Sequence, residues 1–203
     1  MHASVKSRLN FRTPLALLVG FLASVSYGAE MLRIAATTTM VADLAQSVAG
    51  DRAKVSGLMG PGVDPHLYKA TAPDINTLQS ADLIFYNGLH LEGRLADILV
   101  KLGRRDKPVY AVTESIPEGK LLEPDEFQGH YDPHVWFDPR LWAHCIETVV
   151  NALAEVDPDH ADEYRKRGAA VEQAYQDHYQ WGVDYLAKLP AKQRILITSH
   201  DAY

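Results

Sequence analysis

Short runs rich in Ile, Val and Leu alternate along the chain with longer segments in which apolar residues recur every three or four positions. The short runs predict strands, and the three-to-four periodicity predicts amphipathic helices. The pattern predicts four strands at 32–37, 53–59, 82–86 and 108–112, and intervening helices at 40–49, 73–81 and 91–102. This order predicts an α/β fold, with a mostly parallel four-stranded sheet and flanking helices.

The second half of the chain predicts long helices. Asp138-Pro139 is a typical helix start for a helix to about Val156, and Asp157-Pro158 repeats it for a helix that runs without proline to Leu189. Thirty-two residues at 1.5 Å each give about 48 Å, which we interpret as a backbone helix between two lobes. The run at 194–198 predicts a new strand. The second lobe is therefore expected to be mostly absent.

The first 28 residues are predicted to be a secretory signal peptide. A basic segment at 6–12 precedes an apolar run at 15–23, and Ser26 and Gly28 supply small residues for cleavage. We expect cleavage near Gly28 and a periplasmic product, and no lipid anchor because no cysteine stands at that point. The expected organisation is a signal peptide (1–28), an N-terminal metal-binding lobe (29–157), a linking helix (158–189) and the start of a truncated C-terminal lobe (190–203).

Charge and cysteine content narrow the class of ligand. The formal net charge is −6 at pH 7. The only charged side chains of the predicted signal peptide are positive, so the net charge of the mature chain is more negative still. An acidic chain disfavours nucleic acid and anionic membranes as partners and is compatible with a cation. The only cysteine, Cys145, lies in an apolar helical stretch and is interpreted as a buried, inert thiol.

Three histidines stand beyond the predicted strands and are candidate metal ligands. They are His66 in VDPHLYKAT, His134 in YDPHVWFDPRLW and His200 in ILITSHDAY. Ligands collect beyond the carboxyl ends of strands in an open α/β sheet, so residues far apart in sequence can converge there. Three imidazoles suit Zn²⁺, and Mn²⁺ or Fe²⁺ if carboxylate oxygens complete the shell. The competing interpretation is three unrelated histidines.

The remaining histidines are weaker candidates. We interpret His90 and His130 as loop residues near the site, and the helical histidines His144, His160 and His178 as surface or packing residues.

With these segments assembled, the chain resembles the substrate-binding proteins of bacterial ABC transporters for manganese and zinc, the cluster A-I or zinc-uptake-A family. The matching segments are TTTMVADLAQSVAGD (37–51), VDPHLYKATAPDI (63–75), YNGLHLEG (86–93), DPHVWFDPRLW (132–142), the long helix and TSHDAY (198–203). The resemblance implies two α/β lobes joined by a rigid helix, with the metal held between them.

The resemblance also implies a ligand set and partners. His66 and His134 would come from the first lobe and His200 from the second, where the remaining ligand is a carboxylate beyond this sequence. The cargo would be Mn²⁺ or Zn²⁺, with Fe²⁺ less favoured, delivered to an inner-membrane permease that has a separate ATPase subunit. The histidine-free stretch 113–129 differs from zinc-specific members, whereas His200 differs from the manganese members that carry Glu there. A full-length protein is expected to be a monomer.

Two other functions stay open from the sequence. An exported metal-dependent hydrolase would need an open coordination position and a general base, which only Asp64, Asp132 or Asp201 offer. A nonfunctional truncated remnant is the third possibility. The chain has no Walker-type nucleotide loop, so the ATPase must be another subunit.

Overall fold

The computed structural model of the protein describes residues 31–127 and 129–197. Its sheet consists of β1 (Leu32–Ala36), β2 (Ala53–Gly57), β3 (Leu83–Tyr86) and β4 (Val109–Ala111). The strands lie in the order β2-β1-β3-β4, and every neighbouring pair is parallel. The predicted fold class is confirmed. Strands β1, β2 and β4 end one or two residues earlier than the apolar pattern indicates, whereas β3 ends at the predicted residue.

Helices flank the sheet. They are α1 (Thr39–Ala49), α2 (Ala72–Ser80), α3 (Leu95–Gly103), α4 (Pro139–Trp142), α5 (Cys145–Val156) and α6 (Ala161–Leu186). The helix predicted from Asp138 to Val156 is interrupted, because the amides of Ile146 and Glu147 bond three residues back instead of four. The third helix begins at Leu95, four residues later than predicted, because the preceding residues form a tight loop.

Side chains of the strands alternate between two hydrophobic clusters, one on each face of the sheet. On one face Ile34 and Phe85 pack with residues of α1 and α5. On the other face Ala35 and Ile84 pack with residues of α2 and α3. Burial on both faces explains why the strands read as continuous apolar runs rather than as alternating ones.

The helix α6 packs on the sheet layer mainly through its first half. Tyr164 is fully buried, and Gly168 lies so close to α5 that a Cβ there would stand 2.6 Å from Val150 Cγ2. Arg167 donates to the carbonyl of Ala49 at the end of α1. In the second half Tyr175 still packs against the core, but the last turns are exposed, with Trp181 at 65%. At 26 residues the helix is about 39 Å long. It is shorter than predicted because a 3₁₀ turn at Pro158–His160 precedes it and because it ends at Leu186 instead of Leu189.

The strand predicted at 194–198 is wrong for the part that the structure describes. Ala191–Gln193 form a 3₁₀ turn, and residues 194–197 lie in no strand. Ile197 is 90% exposed. An apolar run becomes a strand only where a neighbour supplies hydrogen-bond partners, and the described sheet offers none here.

Two further expectations fall on other parts of the chain. The signal peptide (1–28) and the segment with His200 lie outside the described residues. The lobe boundaries drawn at 157 and 189 stay a prediction. Within the described residues, no helix combines the length and apolar character needed to cross a bilayer.

Candidate metal centre

Loops from all four strands build the candidate site. The loop with His66 follows β2 and the loop with His134 follows β4, and these are the two edge strands of the sheet. Strands β2 and β4 are separated by three inter-strand spacings, about 14 Å. Both loops must therefore reach inward over the ends of β1 and β3, where the strand order reverses and where ligands bind in open α/β sheets.

The two Asp-Pro-His segments form the same local turn. An Asp64 oxygen accepts the backbone N–H of His66 at 2.9 Å, and an Asp132 oxygen accepts that of His134 at 2.9 Å. Proline between them fixes φ and has no N–H of its own to compete for the carboxylate. The repeated tripeptide thus fixes the backbone conformation at each histidine.

Asp132 also orients the imidazole of His134. Its carboxylate lies 2.7 Å from His134 Nδ1, and the His134 side chain is only 7% exposed. A carboxylate at this distance binds the proton on Nδ1 and leaves the lone pair on Nε2. Trp136 packs edge-on against the same ring, with centroids 5.3 Å apart. The ring therefore presents one nitrogen in one fixed direction.

The loop of His66 is fastened to the helix behind it. The Asp74 carboxylate accepts both the backbone N–H and the hydroxyl of Thr71 at 2.7 Å, as the sequence predicts for a capping box. Tyr68 donates to the same carboxylate, and burial together with this bond raises the pKa of Tyr68 to about 12. Tyr68 therefore holds the loop on α2.

His66 and His134 meet through their Nε2 atoms, which are 3.3 Å apart. Two nitrogens bound to one Zn²⁺ at about 2.05 Å, with a tetrahedral angle between them, stand about 3.3 Å apart. The two rings are tilted by 63°, with centroids 5.3 Å apart. The structure thus brings together two of the three histidines predicted from sequence, at a separation that suits a shared ion.

The third predicted histidine, His200, lies outside the described residues. Within the described ranges, no group of three or more His, Cys, Asp or Glu side chains is placed to hold a metal. Any further ligands of an ion at this pair must therefore come from elsewhere in the protein or from solvent.

A buried carboxylate, Glu92, supports the site and was missed from sequence. Its side chain is 1% exposed, and its two oxygens accept from the Thr37 hydroxyl (2.8 Å) and from the backbone N–H groups of Asn87 (2.6 Å) and Gly88 (3.2 Å). Burial raises the pKa of Glu92 although these three donors act to lower it. Glu92 thereby ties the end of β1 to the loop after β3.

The loop at 87–93 in turn touches both histidine loops. Asn87 Nδ2 donates to the carbonyl of Pro133, next to His134. Gly93, at φ +47°, lies against the backbone of His66, and a Cβ there would stand 2.6 Å from the His66 carbonyl oxygen. The segment YNGLHLEG, which the sequence marked only by resemblance, is therefore the scaffold between the two loops.

Burial also distinguishes Cys145 and the apolar residues that follow His134. Cys145 is buried, and burial raises the pKa of its thiol, as its interpretation as inert requires. Val135, next to His134, is buried, whereas Phe137 is 43% exposed.

Comparisons with known proteins identify the family of the chain. The family model described as zinc-uptake complex component A, periplasmic, matches residues 34–203. The manganese-binding lipoprotein MntA of Bacillus subtilis is 42% identical over 86% of this chain and 56% of its own length. The zinc-binding protein TroA of Treponema pallidum is 41% identical over 84% of this chain and 54% of its own length.

The fold comparison agrees. The solved structure of the periplasmic zinc-binding protein TroA from Treponema pallidum superposes with a TM-score of 0.79 and 40% identity, covering 85% of this chain and 61% of that one. The chain thus spans little more than half the length of these relatives. With a family model matching most of its length and relatives above 40% identity, the chain belongs to the family of periplasmic zinc-uptake complex component A proteins.

Proposed function

We propose that this protein captures a divalent metal ion, Zn²⁺ or Mn²⁺, as the substrate-binding component of a metal-ion ABC transporter. The ion is bound through Nε2 of His66 and of His134, and His200 completes the histidine set. The observation that carries the proposal is the 3.3 Å separation of the two Nε2 atoms. Membership of the family and the names of the manganese- and zinc-binding relatives support it.

The surroundings of the pair suit capture and release more than catalysis. Asp132 is committed to His134 Nδ1, and Asp64 to the backbone of its own turn. A hydrolase needs a general base beside a metal-bound water. Both of these carboxylates are already engaged in hydrogen bonds, and the third candidate base, Asp201, lies outside the described residues. The proposed role is therefore transport, in the periplasm, with delivery to an inner-membrane permease that has a separate ATPase subunit.

Metal titration of the purified chain tests the ligands. His66→Ala and His134→Ala should each weaken Zn²⁺ binding at least tenfold, because a bidentate pair becomes a single imidazole. His178→Ala, which removes an exposed histidine from α6, is the matched control and should bind as the parent does. Undiminished binding in the His66→Ala/His134→Ala double variant would show that the pair is not the site.

Competition separates the two candidate ions. Nitrogen-rich tetrahedral sites favour Zn²⁺, whereas Mn²⁺ prefers oxygen-rich octahedral ones. Titration of Mn²⁺ against a Zn²⁺-loaded chain measures the preference directly. The delivery step is tested by metal accumulation in cells that carry the permease and ATPase, with and without the two histidines in the full-length protein.

A further inference from the structure

His90 and His130, both interpreted from sequence as ordinary loop residues, lie together. Their rings belong to different loops, 40 positions apart in the chain, yet their centroids are 4.4 Å apart with a tilt of 51°. Both side chains are exposed. Within the described part of the chain, neither imidazole forms a hydrogen bond or ion pair that would explain the approach.

The backbone at His90 is strained. Its φ is +63°, and the preceding Leu89 is at +49°. Left-handed conformations cost an L-residue about 1 kcal/mol or more, and they persist only where the surrounding structure imposes them. They recur at ligand clamps. A histidine held in such a conformation, with its ring against a second histidine, is therefore a candidate ligand position.

The two loops are fixed relative to each other. Asn87 Nδ2 donates to the carbonyl of Pro133, which bridges the loops that carry His90 and His130. His90 lies on the segment that Glu92 anchors. The backbone that carries each of the two rings is therefore already fixed before an ion binds. This reduces the conformational entropy that is lost when both rings bind one ion.

We propose that His90 and His130 form a second, outer metal site, distinct from the pair His66 and His134. Two neutral imidazoles suit the late first-row divalent ions, Zn²⁺ among them, and disfavour Mn²⁺, which prefers oxygen ligands. In the proposed site, rotation of the exposed rings turns one nitrogen of each towards a common ion.

The outer site adjoins the inner one through the chain itself. His130 is four residues before His134, so their Cα atoms are at most about 14 Å apart. His90 is three residues before Gly93, which abuts the backbone of His66. A Zn²⁺ ion held by the outer pair is thus kept within reach of the loops that form the proposed inner site.

The test uses the 203-residue chain with His66→Ala and His134→Ala, so that its outcome does not depend on the inner site. Zn²⁺ is titrated while NMR follows the imidazole carbon-bound protons. The resonances of His90 and His130 should move together along one binding curve, and those of His178 should not. Mn²⁺ should not selectively broaden either ring at the same concentration.

Single variants then test cooperation between the two rings. His90→Asn keeps a residue that tolerates positive φ, and His130→Gln keeps a polar side chain in its loop. Each should abolish the Zn²⁺-dependent shift of the remaining ring and weaken this binding event at least tenfold, with an unchanged circular dichroism spectrum. Independent shifts of the two rings, or unchanged affinity in both variants, would overturn the proposal.

Discussion

Replacing Gly93 by alanine tests whether the loop at 87–93 positions the His66 ligand loop. A Cβ at Gly93 would lie 2.6 Å from the His66 carbonyl oxygen, so the two backbones must separate by roughly half an ångström. A binding site must hold its ligands within about 0.5 Å of the productive geometry, so this displacement reaches the limit. We therefore expect Zn²⁺ affinity to fall about tenfold.

The same substitution should also lower stability. An L-residue at φ +47° costs about 1–2 kcal/mol, and the steric overlap adds about 1–3 kcal/mol, so the free energy of unfolding should fall by about 2–5 kcal/mol. Urea unfolding followed by circular dichroism measures this loss, and calorimetric Zn²⁺ titration measures the loss of affinity.

Gly62→Ala is the matched control, because Gly62 has φ +80° and no atom within 4 Å of its ideal Cβ position. It carries the backbone strain without the collision, in the same loop as His66. We expect a stability loss of about 1–2 kcal/mol and nearly parental Zn²⁺ affinity. If both variants bind Zn²⁺ alike, the contact between Gly93 and His66 does not position the ligand.

Three further predictions address other contacts. Asp132→Asn should weaken Zn²⁺ binding by about 10–100-fold in the same titration, because a neutral amide oxygen replaces the carboxylate that orients the imidazole through Nδ1. Gly168→Ala should lower the free energy of unfolding, measured in urea, by about 1–3 kcal/mol because its Cβ overlaps α5. Gly182→Ala has open space around it and should raise the free energy of unfolding by up to about 1 kcal/mol. Equal effects of the two variants would contradict the packing of α6 on α5. Burial acts to raise the pKa of Asp157, but hydrogen bonds from Tyr164 and His160 hold it below its ordinary value of 3.8. The stability that this provides is present above pH 3.8 and is lost as the pH falls through the lowered pKa, so Asp157→Asn should flatten the acid end of a stability–pH profile.

Much of the fold could be predicted because local signals agree with tertiary packing. Apolar runs marked all four strands, most clearly β1 and β3, which contribute buried residues to the clusters on both faces. Thr71 with Asp74 and Asp138 with Pro139 marked helix starts, and both form the expected hydrogen bonds. The same local reasoning failed at 194–197. A strand there would need a neighbouring strand as its hydrogen-bond partner, and the local sequence does not show whether that partner is present.

The candidate site was predictable only where a motif repeats. The two Asp-Pro-His segments indicated His66 and His134 as candidate ligands. The predicted parallel sheet explained why loops so far apart in sequence would lie close together. Glu92 was missed because its role comes from donors on two different strand ends, Thr37 and Asn87, and a lone Glu in a loop carries no periodic signal. The signal that could have identified it is the resemblance of YNGLHLEG to the family, read as a supporting segment.

The 68-position separation of His66 and His134 links the proposed cargo to the lifetime of the protein. In an unfolded chain two such residues are about 45 Å apart on average, so the ion has no bidentate site until the sheet has formed. An ion that binds only the folded state stabilises it by about 2.7 kcal/mol when its free concentration is one hundred times the dissociation constant. In the proposed complex the transported ion therefore also stabilises the folded state of the protein. Proteases in the export compartment would then remove empty chains faster than loaded ones, and the supply of metal would set how much of the protein survives.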